Sequence, residues 1–287
     1  MLAQQLVNGI ILGSTYALVA LGYTLVFGIL GMINFAHGEI FMLGAYMALL
    51  LVTIGHLGIF WSLVGAMVGS ALLGMIIERV SFRPLRKVSI LAPLISTIGL
   101  SIFLRSLAQV LFGAESTRFP VSIKTEFYQL GPFQISLLQV VILAISFGIM
   151  AVFQVFIKKT RIGKAMRATS ESLYTAGLLG IPVDRIIFLS FAVAAALGGV
   201  AGVLLGLNFN AVSPLMGKMV GLKGLTIIIL GGMGNISGAM VGGLFLGFVE
   251  VLSVGYLTSS YRDAVAFALM FLVLLIRPTG LFGRVVK

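Results

Sequence analysis

The residues Gly31-Met-Ile-Asn-Phe-Ala-His-Gly-Glu39 set an amide, an imidazole and a carboxylate close together in an otherwise apolar chain. Asn34, His37 and Glu39 could form a metal site, a proton relay, a catalytic constellation or the polar lining of a path. Most of these readings fail for want of partners. The chain holds two histidines, His37 and His56, and no cysteine. His37-Gly38-Glu39 lacks the spacing that puts two metal ligands on one helix face, so no metal site is expected. Gly232-Met-Gly234 resembles a fragment of a dinucleotide loop, but no βαβ unit surrounds it. A G-x-x-x-x-G-K-[ST] phosphate loop is absent, so ATP hydrolysis is not expected of this chain.

Two carboxylates within apolar segments remain, Glu39 and Glu250. Ionisable groups at membrane depth are costly and are kept where a bundle interior or a solute path needs them. Each is therefore either an internally hydrogen-bonded structural residue or part of a polar pathway. Asn34 and Asn235 can each act as the N-cap of the helix that follows. Helix N-termini carry positive partial charge. Together with Gly38, Gly232 and Gly234 these groups could meet a zwitterion, helix N-termini toward its carboxylate and Glu39 or Glu250 toward its ammonium. For His37, packing or hydrogen bonding is favoured over titration.

The elements that must position these groups are membrane helices. The chain has 287 residues, 60% hydrophobic and 9% charged, with mean hydropathy +1.17. A soluble domain carries roughly 25% charged residues. Apolar segments fall at 5–27, 36–54, 59–77, 89–111, 135–157, 186–207, 222–234, 237–256 and 262–276. They predict a single all-α integral membrane domain over 1–287, a bundle of about eight transmembrane segments with seven to ten admissible. The segments 36–54 and 222–234 are short and glycine-interrupted, which points to broken helices around a binding site. Gly31-Met-Ile-Asn34 and Gly232-Met-Gly-Asn235 echo each other, as an internal inverted repeat would. Gly198-Gly-Val-Ala-Gly202 and Gly238-Ala-Met-Val-Gly-Gly243 read as small-residue faces for helix packing.

The net charge of +11 is placed by topology, and nucleic acid is not an expected partner. Basic residues cluster at Arg79, Arg83, Arg86 and Lys87, at Lys158, Lys159, Arg161, Lys164, Arg167 and Arg185, and at Arg277, Arg284 and Lys287. Under the positive-inside rule these are cytoplasmic. The loop 112–134, where Arg118 and Lys124 balance Glu115 and Glu126, suits the outer face. The N-terminus is then expected outside and the C-terminus in the cytoplasm. The first apolar run is too long for a cleaved signal and is expected to be retained. In the loop 158–185, Ala165, Ala168, Ser172, Ala176 and Leu179 recur at helical spacing and predict one amphipathic helix that Gly180-Ile-Pro182 ends. Such a helix suits a partner's groove or, alternatively, anionic lipid head groups.

Asn34-Phe-Ala-His-Gly-Glu39, followed by Met42-Leu-Gly-Ala-Tyr46, resembles the permease subunits of ATP-driven importers of branched-chain amino acids, most closely the LivH type. The resemblance extends through Glu78-Arg-Val, Arg83-Pro-Leu-Arg86, Gly163-Lys-Ala-Met-Arg-Ala168, Ala201-Gly-Val-Leu-Leu-Gly206, Leu230-Gly-Gly-Met-Gly234 and Arg277-Pro-Thr-Gly280, nearly the whole chain. It implies a transport subunit, not an enzyme, in a bacterial inner membrane. It also implies a second, LivM-type permease, two cytoplasmic ATPases that use the ATP, and an extracytoplasmic binding protein. No cofactor on this chain is implied. The loop looks like an ATPase-docking loop, carried by Gly163, Lys164, Arg167, Ala168, Glu171, Ala176, Gly177, Gly180 and Ile181. Only Glu171, Ala176, Gly177 and Gly180 echo the usual importer order there. Importers of urea and short amides use similar permeases, which keeps that substrate class as the alternative. An ATP-independent channel or ion-coupled carrier would have no use for a docking loop.

Overall fold

The structure is a computed structural model that describes residues 2–89, 91–120, 127–130 and 133–283. Lys124 and Glu126 of the expected outer loop, and Arg284 and Lys287 of the basic C-terminal cluster, lie outside the described residues. The chain runs through α1 (Leu2–Leu30), α2 (His37–Thr53), α3 (Ile59–Ile77), a π-helical turn at Glu78–Phe82, α4 (Arg83–Leu85) and α5 (Leu91–Phe112). A hairpin follows, β1 (Phe127–Leu130) antiparallel to β2 (Phe133–Ser136), with Tyr128 opposite Ile135. Then come α6 (Leu137–Lys159), α7 (Arg161–Glu171), α8 (Leu173–Leu178), α9 (Val183–Phe209), α10 (Met216–Gly231), α11 (Ile236–Tyr256), a 3-10 turn at Ser259–Tyr261 and α12 (Arg262–Ile276).

Among the described residues, seven helical stretches are long and apolar enough to cross a membrane: α1, α3 with its extension to Leu85, α5, α6, α9, α11 and the stretch ending in α12. The short hairpin, a strand element, has no counterpart in the sequence reading. Burial sorts the seven. The apolar window of α1 is 89% buried and that of α9 78%, against 17% for α5 and 6% for the α12 stretch. So α1 and α9 form the centre, and the outer helices turn apolar side chains such as Ile102, Phe147 and Leu275 outward. Apolar exposure on that scale is stable only in lipid or against another protein.

The two ends of the bundle differ. At one end Gln4 at the start of α1 bonds the backbone of Gln134 in the hairpin. At the other, Arg83 and Arg86 after α3 pair with Asp184 at the start of α9, the former at 3.2 Å.

The segments α2 and α10 are shorter than a span. With 16 residues α10 is about 24 Å long, against about 30 Å of hydrocarbon. Both begin inside the bundle. The 31–36 connection turns back inward, so that His37 at the start of α2 lies beside Gly22, well inside α1. From there α2 runs toward the hairpin end. The start of α10, at Gly217, packs on Gly38, and α10 runs the opposite way to the basic end. The broken helices expected at 36–54 and 222–234 are thus real, but the second extends back to Met216.

The halves form an inverted repeat, in a register the sequence echo missed. Exchanging α1 with α9, α2 with α10 and α3 with α11 maps the packing onto itself: α11 lies on α1 as α3 lies on α9, and α10 on α1 as α2 on α9. The matching connections are 31–37 and 210–216. Gly31 (φ +64°) and Asn210 (φ +50°) each end a central helix in the left-handed region. Asn34 Oδ1 accepts from Ala36 N at 3.1 Å, and Ser213 Oγ accepts from Leu215 N at 3.3 Å. The stretch 232–235 instead joins α10 to α11, the counterpart of the loop between α2 and α3. The echo of 31–34 in 232–235 is therefore corrected: equivalent turns need equivalent backbone, and Asn210 and Ser213 supply it without sequence identity.

Candidate functional site

The inward connection places its own polar groups. Asn34 is buried and bonds the N–H of Ala36, the N-cap position two residues further on, and α2 begins with no side-chain cap. The expected N-cap at Asn34 is thereby corrected, because the amide closes a tight turn ahead of the helix. His37 fills a slot between Gly22 on α1 and Gly198 on α9, with its ring edge to face on Tyr23 at 4.5 Å. It packs three helices together.

Glu39 faces the other way, toward α5 and α10. Ser101 donates to its Oε1 at 2.9 Å, and Arg105 Nε lies 3.4 Å from the same oxygen. Among the described residues its Oε2 has no hydrogen-bond partner, and it rests against Gly217 in the first turn of α10. A carboxylate at a helix N-terminus is favoured by the helix dipole. Glu39, Ser101, Arg105, Lys218 and Tyr23 line a cavity of about 250 Å³ whose other walls are apolar.

Glu250 belongs to a second cluster. Its oxygens take Lys223 at 2.8 Å, Arg262 Nε at 2.7 Å and the Tyr16 hydroxyl at 2.9 Å, and Lys223 also pairs with Asp263 at 2.8 Å. Two cations face two carboxylates, so the group is neutral as a whole. That suits a site where Glu250 is fully buried, since an uncompensated charge there costs several kcal/mol. Beside it, Gln5, Asn8, Gln139 and Asn208 help line a cavity of about 400 Å³ toward the hairpin end.

Gly232, Gly234 and Asn235 lie apart from both clusters, at the basic end. Asn235 caps α11 as expected, accepting from Gly238 N at 3.0 Å, and its Nδ2 donates to Phe282 O at 2.9 Å. These residues hold the C-terminal segment, whose Leu281 N donates to Leu230 O at 2.7 Å. The structure therefore does not bring the helix starts at Asn34 and Asn235 together around one ligand. Of the expected pathway residues, Glu39 alone lines the cavity between α2, α5 and α10, with Gly38 directly behind it.

The loop 158–185 is two helices rather than one. Ser172 adopts an extended backbone (φ −162°) and caps α8 by accepting from Thr175 N at 3.1 Å, which breaks the predicted helix. Gly163 packs on the backbone of α6, and Ala176 is buried. Lys164, Arg167, Glu171, Gly177 and Gly180 face out, with Ala168 and Ile181 half-buried. Large apolar groups that project include Tyr174, Leu178 and Leu179, of which the sequence reading named only Leu179, as part of the helical repeat.

Also unread were Ser101, Arg105, Lys218, Lys223, Arg262 and Asp263. Arg105 and Lys223 carried the signal that drew notice to Glu39, a charge inside an apolar segment.

These features define a class: a polytopic helical protein with an inverted repeat and two helices that start inside the bundle. Its fold resembles a chain of the solved complex "PsaBC from Streptococcus pneumoniae in complex with Fab", with TM-score 0.56 over 95% of this chain and 91% of that one, at 14% identity. The chain belongs to the family of permease components of branched-chain amino acid transport systems, which it matches over residues 5–274. It is 45% identical to the high-affinity branched-chain amino acid transport system permease protein LivH of Escherichia coli, over 98% of this chain and 95% of that protein. It is 42% identical to the corresponding permease protein BraD of Pseudomonas aeruginosa, with the same coverage.

Proposed function

We infer that this chain is the membrane-spanning permease subunit of an ATP-driven importer of leucine, isoleucine and valine. The observation that carries the reading is the pair α2 and α10, whose N-terminal ends meet inside the bundle in a chain of this permease family. Half-helices that end at membrane depth are how many transporters build a solute site.

In this reading a second, LivM-type permease completes the path, and the whole chain acts as one permease domain in a bacterial inner membrane. The basic end faces the cytoplasm, and the N-terminus and hairpin face the extracytoplasmic binding protein. Two ATPase subunits dock on residues 158–185 and use the ATP, with no cofactor on this chain. The placement of Arg83, Arg86, Lys164 and Arg167 at one end supports that orientation. Projecting apolar groups on α8, beside the basic face of α7, support the docking role.

The test is uptake into proteoliposomes holding the permeases, ATPases and binding protein. Leucine should accumulate only with ATP and all subunits present. Leucine uptake that persists without ATP or the ATPases would overturn the importer reading in favour of a carrier, and selective uptake of urea or short amides would replace the substrate.

A further inference from the structure

The cavity between α2, α5 and α10 differs from the Glu250 cluster in one carboxylate oxygen: Glu250 Oε1, without a hydrogen bond, still lies 2.8 Å from Lys223 Nζ, whereas Glu39 Oε2 has no ion pair among the described residues. Among the described residues, Glu39 Oε2 is buried with no hydrogen-bond partner, and Arg105 Nε, near Oε1, makes no hydrogen bond, while its Nη2 reaches Ser101 at 3.5 Å. Lys218 lines the same cavity and pairs with no carboxylate among the described residues. A buried acceptor left unpaired bears its desolvation cost uncompensated, which a ligand's donor would recover. The same lining carries hydrocarbon, from Ile102 on α5 and Leu222 and Leu225 on α10. The volume of about 250 Å³ lies at the small end of ligand pockets.

One anion, two cations and an aliphatic wall match a free α-amino acid with an apolar side chain. We propose that this cavity is a substrate subsite within the permease, in which Glu39 takes the ammonium, Arg105 and Lys218 take the carboxylate, and Ile102 and Leu222 take the branched side chain. The positive N-terminal turn of α10 adds to the pull on the carboxylate. The charges then sit on residues of three helices, α2, α5 and α10, so a passing zwitterion bridges elements that belong to different halves of the repeat. Such a subsite would add selection beyond that of the binding protein. The assignment rests on the importer reading above and names the residues that serve it.

The test uses the complete complex in proteoliposomes, with leucine uptake and ATP hydrolysis measured together in the presence of leucine-loaded binding protein. Glu39→Gln and Lys218→Met should each lower the leucine moved per ATP hydrolysed by more than about tenfold, as expected for loss of a charge that pairs with the ligand, while hydrolysis stays within about twofold. Lys218→Arg should retain coupling. Lys218 is exposed, so its replacement leaves the fold intact even if Glu39→Gln does not. Unchanged coupling in Lys218→Met, or uptake and hydrolysis falling in proportion in both variants, would overturn the subsite and leave the importer standing. A wild-type complex that accumulates no leucine with ATP would overturn the importer reading itself, and the subsite with it.

Discussion

Gly38 and Gly217 lie back to back where α2 and α10 cross, each with its Cα against the other's backbone. A Cβ on Gly217 would meet the Gly38 carbonyl oxygen at 2.8 Å, and one on Gly38 would strike the Gly217 carbonyl. The two positions are equivalent in the inverted repeat, so the contact sits at its centre. The Glu39 carboxylate, which a Cβ on Gly217 would meet first, could swing away, but the two carbonyl oxygens are backbone and cannot. Gly217→Ala should therefore cost about 1–3 kcal/mol through overpacking. Gly148→Ala, in α6 with nothing near its added carbon, should be neutral or gain up to about 1 kcal/mol from helix propensity. Thermal unfolding of the purified permease in detergent measures both, and equal shifts would refute the crossing as the tight point.

The Glu250 cluster makes a prediction about sign. Lys223→Met leaves Asp263 without its partner and Glu250 with Arg262 and Tyr16 alone. Breaking a buried pair by removing one member costs about 3–5 kcal/mol. Adding Glu250→Gln to Lys223→Met should cost less than the sum of the two single changes, because the second removes the charge the first left exposed. Additive losses in a denaturation series would mean the two do not act as a pair.

Legibility in the sequence followed chemistry that is local. Long apolar runs declared α1, α3, α6 and α9, and Asn235 declared the start of α11, since a cap needs only its own next turn. The start of α10 was hidden because Met216-Gly-Lys-Met-Val-Gly221 is too polar and glycine-rich to read as membrane helix. Packing on Gly38 and Tyr23 is what keeps it helical inside the bundle. The partners of Glu39 and Glu250 come from α1, α5, α10 and α12, far away in the chain. Glu39 was thus visible as a charge, but its site with Ser101, Arg105 and Lys218 was not.

The repeat makes a prediction at Asn34. Its Oδ1 accepts from Ala36 N as Ser213 Oγ accepts from Leu215 N in the other half. Asn34→Ser should therefore keep the turn and most of the stability. Asn34→Ala leaves a buried N–H unpaired at a cost of about 1–3 kcal/mol. Unfolding midpoints that rank Ser with Ala instead of with Asn would mean the side-chain bond does not hold the turn.

The last prediction concerns the surface of α8. Tyr174 and Leu178 on α8 and Leu179 at its C-cap are 77%, 70% and 75% exposed, and Ser172 sets α8 off from α7. Large apolar side chains so displayed at the basic end, beyond the apolar spans, gain free energy when a partner covers them. Interface energy concentrates in a few such anchors, so Tyr174→Ser with Leu178→Ser should weaken retention of the ATPase subunits by more than about tenfold. The buried face of the loop, Gly163, Met166, Thr169 and Ala176, is untouched by these changes, so the permease alone should unfold at the same temperature. Lys164→Gln, on the neighbouring face, should instead make retention less sensitive to salt. Co-purification of the ATPases with tagged permease, at low and high ionic strength, reads both effects. Full retention by the double variant would move the docking surface off α8 and toward the basic face of α7.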